Sequence, residues 1–376
     1  MAKKIQQKPT NNLIDYVYNF GVCPFSELPF VINDAFVFSA VSYLPFESCN
    51  IKVGDTLQNL CIKLLGKLRY KKQLDSMQMD RVFLCLALVN SDRFSKLKIV
   101  NMKNVLSDEK TTQYAAIAFA DDENLFINFR GTDNTLIGWQ EDLYMACYDT
   151  LFSHELAIDF LEETLKENAH VRNYVCGHSK GGNLALHSSS MIALKYQKMI
   201  TNVISIDGPG LLKEIFFSEG HQRIESRVVH ITPQDCVIGA LLHHENIAYV
   251  AKSYPDKDMI NQHDLYSFET SGIGLVELKD RTPLSYVVEI SLDEVLTKLG
   301  KKDKRVDFVN ALFQAIYDMG IKDSDEIFKN PYGFMRNFLF SNRKKSKDKT
   351  NLNKMLREFM SIFSRNLMTY KKDKTL

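Results

Sequence analysis

The residues Tyr174-Val175-Cys176-Gly177-His178-Ser179-Lys180-Gly181-Gly182-Asn183 put a serine between two glycines, each two positions away. Gly-x-Ser-x-Gly carries chemical meaning where it joins a strand to a helix. Residues 171–176 have the apolar pattern of a strand, and residues 183–196 that of a helix. A turn this tight holds Ser179 in strained backbone and lifts its hydroxyl above the sheet edge. The hydroxyl then stands at the positive N-terminus of the following helix. Gly177 and Gly181 avoid the clashes such a turn creates, and Gly181, Gly182 and Ala185 let the helix pack closely. Ser179 is therefore the candidate nucleophile, weighed against a plain Gly/Ser surface turn.

A serine hydroxyl needs a base, and the base needs an orienting acid. In strand–turn–helix hydrolase folds the chain order is serine, acid, histidine. Two aspartates stand just past strand candidates downstream of Ser179: Asp207 after residues 203–206 and Asp235 after residues 228–231. Asp235 is the expected acid, because the second strand usually supplies it. Asp207 is the alternative, since the Gly208-Pro209-Gly210 that follows it is explained by a loop-forming turn. Past Asp235, His243 and His244 adjoin Glu245 in a polar connection. His263 lies in a loop after the next strand candidate and is the expected base. Acyl transfer also needs donors for a developing oxyanion. The backbone N–H of Lys180 is one. The loop Arg130-Gly131-Thr132-Asp133, after the strand candidate 125–129, offers the second from Thr132, with Gly131 permitting close approach.

These residues need a framework, and the rest of the chain supplies one. The first hundred residues read as helical, with apolar residues at helical spacing over 60–68 and over 77–100. Residues 113–120 and 124–129 flank Asp121-Asp122-Glu123 and read as a β-hairpin. Helical and strand patterns then alternate: a helix near 156–165, strands at 171–176, 202–206, 227–231, 247–253 and 265–268. Such alternation implies crossover connections and a mostly parallel sheet flanked by helices. After Arg281 the pattern is helical. Ser291 to Glu294 reads as a capping box, Gly300 as a helix end, and Val306 to Tyr317 as one apolar face ending at Gly320. Leu352 to Leu367 forms another such face, beyond a polar linker over 342–349. The expected organisation is a helical N-terminal segment (1–100), an α/β core (101–280) and a basic helical C-terminal extension (281–376).

Length and charge narrow the classes further. The chain has 376 residues, 45% apolar and 25% charged, the profile of a folded globular protein rather than a disordered one. Net charge is +1, which argues against nucleic acid as a partner. The total is unevenly divided: residues 301–376 carry 18 Lys/Arg against 9 Asp/Glu, a net +9, and the remainder carries −8. The longest apolar run, residues 82–89, is far short of a membrane span. The start of the chain lacks a signal-like apolar stretch, and the seven scattered cysteines contain no CxxC pair. The expectation is a cytoplasmic protein with reduced thiols, no metal site and no cofactor.

The serine turn, Phe129-Arg130-Gly131-Thr132, Trp139-x-x-Asp142 and Arg227-Val228-Val229-His230-Ile231 with Asp235-Cys236-Val237 together resemble the class 3 triacylglycerol lipases of the α/β-hydrolase superfamily. The chain is still more similar to a bacterial group of lipase-like proteins that carry Gly-His-Ser-Lys-Gly-Gly-Asn-Leu-Ala, here residues 177–185, and Gln-His-Asp, here residues 262–264. The resemblance covers residues 12–275. It implies an α/β-hydrolase fold, the triad Ser179, Asp235 and His263, and oxyanion donors at Thr132 and Lys180. It supplies no substrate. Trp139 reads as a core aromatic, with a place beside the cleft as the alternative. Asp142 reads as ordering the Arg130 loop or as a solvated helix-start carboxylate. Residues 211–220 read as a lid or as a core helix.

The functional expectation is a serine hydrolase of the esterase or lipase type, cleaving a carboxylic ester, lipid or thioester through an acyl-enzyme. An acyltransferase would use the same residues. The alternative is a catalytically weak hydrolase fold that acts as a scaffold. Its basic C-terminal helices would then contact a membrane surface or a protein.

Overall fold

A computed structural model describes residues 9–168, 170–244, 247–256, 258–323, 357–358 and 361–369. The linker expected over 342–349 and most of the apolar face over 352–367 lie outside these residues. Helices α1 (Leu13–Phe20), α2 (Ile32–Ser42), α3 (Leu57–Leu68) and α4 (Ser76–Val89) come first. Strands β1 (Lys98–Ser107), β2 (Thr112–Ala120) and β3 (Asn124–Phe129) follow, then α5 (Leu136–Tyr144) and α6 (Phe152–Asn168). Next are β4 (Arg172–His178), α7 (Lys180–Met191), α8 (Leu194–Gln197), β5 (Asn202–Ile206), α9 (Lys213–Phe216), α10 (Glu219–Gln222), β6 (Val228–Pro233) and β7 (Tyr249–Ala251). The short strands β8 (Thr270–Ser271), β9 (Gly274–Leu275) and β10 (Glu277–Leu278) precede α11 (Pro283–Leu299) and α12 (Lys302–Asp318).

The main sheet has eight strands in the order β1-β2-β3-β4-β5-β6-β7-β10, and β8 pairs with β9 in a separate ribbon. Neighbours from β3 to β7 run parallel, while β2/β3 and β7/β10 run antiparallel. This is the mostly parallel sheet flanked by helices that the alternating pattern predicts, and it agrees with the α/β-hydrolase-like fold that the resemblance implies. Asp121 shapes the β2–β3 turn, its carboxylate accepting from the Glu123 and Asn124 amides at 2.9 and 2.7 Å.

Strand side chains alternate between two buried faces, as a sheet covered on both sides requires. Phe119, Phe126, Tyr174, Cys176, Ile204 and Ile231 share one apolar cluster with residues of the four N-terminal helices. Phe126 stacks on Phe38 of α2 at 4.4 Å between centroids, and Tyr174 on Phe30 at 4.0 Å. Such pairs add roughly 0.5–1.5 kcal/mol each beyond area burial. On the opposite face, Phe129 meets Phe160 of α6 edge-on at 6.1 Å. Helix α7 lies against β3, β4 and β5.

Beneath the N-terminal helices sits a buried ion pair. Arg93 donates from Nε and Nη2 to Asp34 at 2.8 and 2.5 Å, with both side chains fully buried. The remaining guanidinium donors reach the carbonyls of Cys23, Leu28 and Pro29 at 3.0, 2.7 and 3.1 Å. Tyr16 Oη and the Val31 amide complete the carboxylate, each at 2.8 Å. A buried pair is tolerable when every polar atom is satisfied in this way.

Three local expectations are corrected. The helix expected to run to residue 100 ends at Val89, and β1 occupies residues 98–107. The break falls at Ser91, whose hydroxyl donates to the Gly21 carbonyl at 2.8 Å. Residues 265–267 form a 3-10 turn rather than a strand, because the Asp264 carboxylate caps the Tyr266 amide at 3.2 Å. Helix α11 begins at Thr282-Pro283, so Ser291 is interior to it and donates to the Val287 carbonyl at 2.6 Å.

Contacts group the chain into two units. The first comprises residues up to 104, 114–131 and 154–281. The second comprises residues 105–113, 132–153 and those from 282 onward. It has its own apolar cluster, built from Leu136 and Cys147 with Val309, Phe313, Ala315 and Ile316 of α12.

Candidate active site

Ser179 is the single residue between β4 and α7, with φ 58° and ψ −132°. This is backbone that a side-chain-bearing residue adopts only under constraint. The constraints are visible. A Cβ on Gly177 would lie 2.0 Å from the Gly181 carbonyl oxygen, and one on Gly181 would lie 2.1 Å from that of Phe129. The chain passes too close to itself for anything but glycine at either position. The Ser179 amide donates to the Ile206 carbonyl at 3.0 Å, fastening the turn to the end of β5. The Ser179 side chain is half-buried at the C-terminal edge of the sheet, where α/β folds place their chemistry.

His263 lies in the loop beyond β7. Its Nδ1 is 2.6 Å from Oδ2 of Asp207. The expected partner Asp235 is engaged elsewhere: its Oδ2 accepts from Gln262 Nε2 at 2.8 Å, and its amide donates to Gln262 Oε1 at 3.1 Å. The carboxylate that meets the candidate base is therefore that of the alternative acid. The physical reason is the backbone at Asp207. With φ 42°, the residue turns off the end of β5 directly into Gly208-Pro209-Gly210. Its other oxygen, Oδ1, accepts from the Gly239 amide and the Cys236 thiol, each at 3.0 Å.

Burial pushes the Asp207 carboxyl up, but the His263 hydrogen bond and charge, helped by Cys236 and His178, outweigh it and hold the pKa below the ordinary value. Asp207 is thus an anion beside the imidazole. Ser179 Oγ and His263 Nε2 form no hydrogen bond with each other or with another described residue.

Several residues outside the expected set support the site. His178 Nε2 bonds to the His263 carbonyl at 2.8 Å, its Nδ1 bonds to Tyr43 Oη at 2.9 Å, and its ring lies 4.5 Å from that of His263. Asn183, on the first turn of α7, donates to the Gly210 carbonyl at 2.5 Å and pairs with buried His154 at 2.8 Å. It thereby anchors the loop that follows Asp207. Gln262 adds bonds to the Pro255 carbonyl and, through its own carbonyl, to Ser253 Oγ, at 2.9 and 2.8 Å. A signal for Asn183 and Gln262 did exist, since each adjoins or belongs to a motif, Gly-Gly-Asn or Gln-His-Asp.

Gly131 lies against the serine turn. A Cβ there would stand 2.6 Å from the His178 carbonyl oxygen and 3.1 Å from Ser179 Cβ. Lys180 is 1% exposed. In the second unit, Thr132 Oγ1 donates to the Asp142 carboxylate, 2.7 and 2.6 Å from its two oxygens. That hydroxyl is committed, which leaves the Thr132 amide as the group to consider. Trp139 packs against the apolar cluster of that unit. Residues 211–220 do not form one helix. They hold α9 and the start of α10, with Ile215 buried and Phe217 57% exposed.

Among the described residues, no cluster of His, Cys, Asp or Glu is arranged to hold a metal ion. No described helix is long and apolar enough to cross a membrane.

Three solved structures are similar to this chain at low identity. M37 lipase is 13% identical over 56% of this chain and 69% of its own, with a TM-score of 0.36. A fungal lipase in complex with an inhibitor is 14% identical over 59% and 78%, with a TM-score of 0.33. The extracellular lipase LipA from Serratia marcescens is 15% identical over 61% and 43%, with a TM-score of 0.30. A search among curated proteins finds no match. The family model described as Mbeg1-like matches residues 88–314, more than half of the chain and the span that holds the serine turn, Asp207 and His263; the protein belongs to the Mbeg1-like family.

Proposed function

We propose that the protein is a serine hydrolase of the esterase or lipase type, with Ser179 as nucleophile, His263 as general base and Asp207 as the orienting acid. The observation that carries this reading is the 2.6 Å contact between His263 Nδ1 and the buried Asp207 carboxylate, at the sheet edge where Ser179 is held at φ 58°. An imidazole whose Nδ1–H is given to a carboxylate presents Nε2 as a lone pair, the tautomer that takes a proton from a hydroxyl. Substrate binding then draws Ser179 and Nε2 together, since catalytic hydrogen bonds tighten in the Michaelis complex.

In this scheme Ser179 Oγ attacks the acyl carbonyl while its proton passes to His263 Nε2. The oxyanion is held by the amides of Lys180 and Thr132, donors assigned on sequence grounds. The imidazolium protonates the leaving alkoxide or thiolate, leaving an acyl-enzyme. Water, deprotonated by His263, releases the acid and restores the serine. The substrate class proposed is a carboxylic ester, lipid or thioester.

Asp235 has a different part in this reading. Through Gln262 it positions the loop that carries the base. The direct test is fluorophosphonate labelling with hydrolysis of p-nitrophenyl butyrate. The wild type should label and turn over, and Ser179→Ala should do neither. A folded wild type that takes no label would sink the proposal.

A further inference from the structure

We propose, building on the serine-hydrolase reading, that Tyr43 is a positioning residue of the site, acting through His178 to hold the main chain of the general base. Tyr43 lies outside residues 88–314, the span the family model matches, so nothing in that match assigns it a role. It is the residue immediately after α2, a helix buried along its length and packed on β3 and β4. That seating gives its ring little freedom.

The proton inventory fixes the direction of each bond. The His263 carbonyl can only accept, so His178 Nε2 must carry the hydrogen of the 2.8 Å bond. Burial, with the neighbouring His263, pushes His178 down to about 3, so the ring is neutral near pH 7 and carries one N–H. Nδ1 is therefore a lone pair, and Tyr43 Oη donates to it across 2.9 Å. The His263 carbonyl thus fixes the tautomer of His178, and the Tyr43 hydroxyl supplies the donor that the Nδ1 lone pair of that tautomer needs, holding the ring in place against the carbonyl.

The hydroxyl also occupies a confined place. A Cβ on Gly131 would fall 2.1 Å from Tyr43 Oη, beside the His178 carbonyl and Ser179 Cβ. Tyr43 therefore borders the serine turn as well as the loop of the base. Without the Tyr43 hydroxyl, Nδ1 of His178 loses its donor, and the ring is no longer pinned where its Nε2–H meets the His263 carbonyl. The imidazole of His263 then loses its fixed aim at Ser179.

The test uses the full-length chain and two independent readouts. Imidazole 15N shifts should show His178 as the Nε2–H tautomer in the wild type, and its Nδ1 resonance should move downfield in Tyr43→Phe as that nitrogen loses its donor. The rate of Ser179 labelling by a fluorophosphonate, and kcat for p-nitrophenyl butyrate, should fall about tenfold to a hundredfold, the scale of a small misplacement of a reacting group. KM should stay within about threefold, since no contact to substrate is removed. His178→Gln, whose amide donates from near the Nε2 position, should retain more activity than His178→Leu. A folded Tyr43→Phe with the wild-type Nδ1 shift and the wild-type labelling rate overturns the inference while leaving the hydrolase reading intact. If Tyr43→Phe does not fold, equal labelling by His178→Gln and His178→Leu overturns it. A folded wild type that never labels overturns both.

Discussion

Replacing Asp207 by Asn tests the assignment of the acid most sharply, because the structure dictates how the new amide must sit. Oδ1 of Asp207 accepts from two donors, the Gly239 amide and the Cys236 thiol, each at 3.0 Å. In Asp207→Asn the carboxamide oxygen must take that place, because an NH2 group there would face two hydrogens. The amide nitrogen then faces His263 Nδ1, where Oδ2 now lies at 2.6 Å. His263 must accept at Nδ1 and so carry its hydrogen on Nε2, the atom meant to take the serine proton. A wrong tautomer in a serine triad lowers kcat by roughly 10⁴, about 5 kcal/mol of transition-state stabilisation. Asp235→Asn loses less. An Asn oxygen can still accept from Gln262, and the backbone bond from the Asp235 amide to Gln262 remains. A reduction of about tenfold or less is expected, in keeping with a positioning role. Fluorophosphonate labelling rates and p-nitrophenyl butyrate turnover decide it, with thermal melts of each variant as the folding control. An Asp235→Asn defect as large as that of Asp207→Asn would refute the assignment, as would an Asp207→Asn variant within tenfold of wild type.

Two further predictions concern stability. Arg93→Met removes every donor that reaches Asp34 from the guanidinium and the hydrogen bonds to three carbonyls. Urea unfolding should show a loss of about 3–5 kcal/mol, the usual consequence of leaving one member of a buried pair alone; a loss below 1 kcal/mol would contradict it. Acidification should also destabilise the fold well above the carboxylate range. Burial, reinforced by the Lys180 charge, pushes His154 down to about 4 against its Asn183 hydrogen bond, and His178 lies at about 3. Unfolded histidines titrate near 6.5, so between about pH 6.5 and 4 only the unfolded chain takes up these protons. Stability is complete above that window and falls within it, by about 2 kcal/mol per histidine at pH 5. His154→Asn should lessen the drop in urea midpoint between pH 7 and pH 5, and an unchanged drop would exclude His154 as a source.

What could be read in the sequence was what neighbouring residues decide. The β2–β3 hairpin depends on Asp121 and two adjacent runs, and the tight turn at Ser179 depends on glycines two residues away. The pairing of His263 was of another kind. Asp207 and Asp235 both end adjacent parallel strands, and the choice between them rests on contacts distant in the chain. These are Gly239 and Cys236 closing on Asp207, Asn183 holding Gly210, and Gln262 occupying Asp235. Gly208-Pro209-Gly210 looked like a sufficient explanation of a turn, yet that turn is what brings the preceding carboxylate to the imidazole. Similarly, nothing around Tyr43 suggests that it reaches a histidine 135 positions away. The misread boundary near residue 98 has a simpler cause: an apolar run buried as a helix and one buried as a strand look alike until a break such as Ser91 is recognised.

Gln262 and His263 are consecutive, and each is committed to a different neighbour distant in the chain: Asp235 for the first and Asp207 for the second. The segment therefore behaves as a ruler. Lengthening or shortening it by one residue cannot be absorbed locally, because correcting one of the two engagements misplaces the other. Length variation around the base should accumulate before Pro255 or after Ser267, and the spacing between them should be as diagnostic of a working site as the identity of His263 itself.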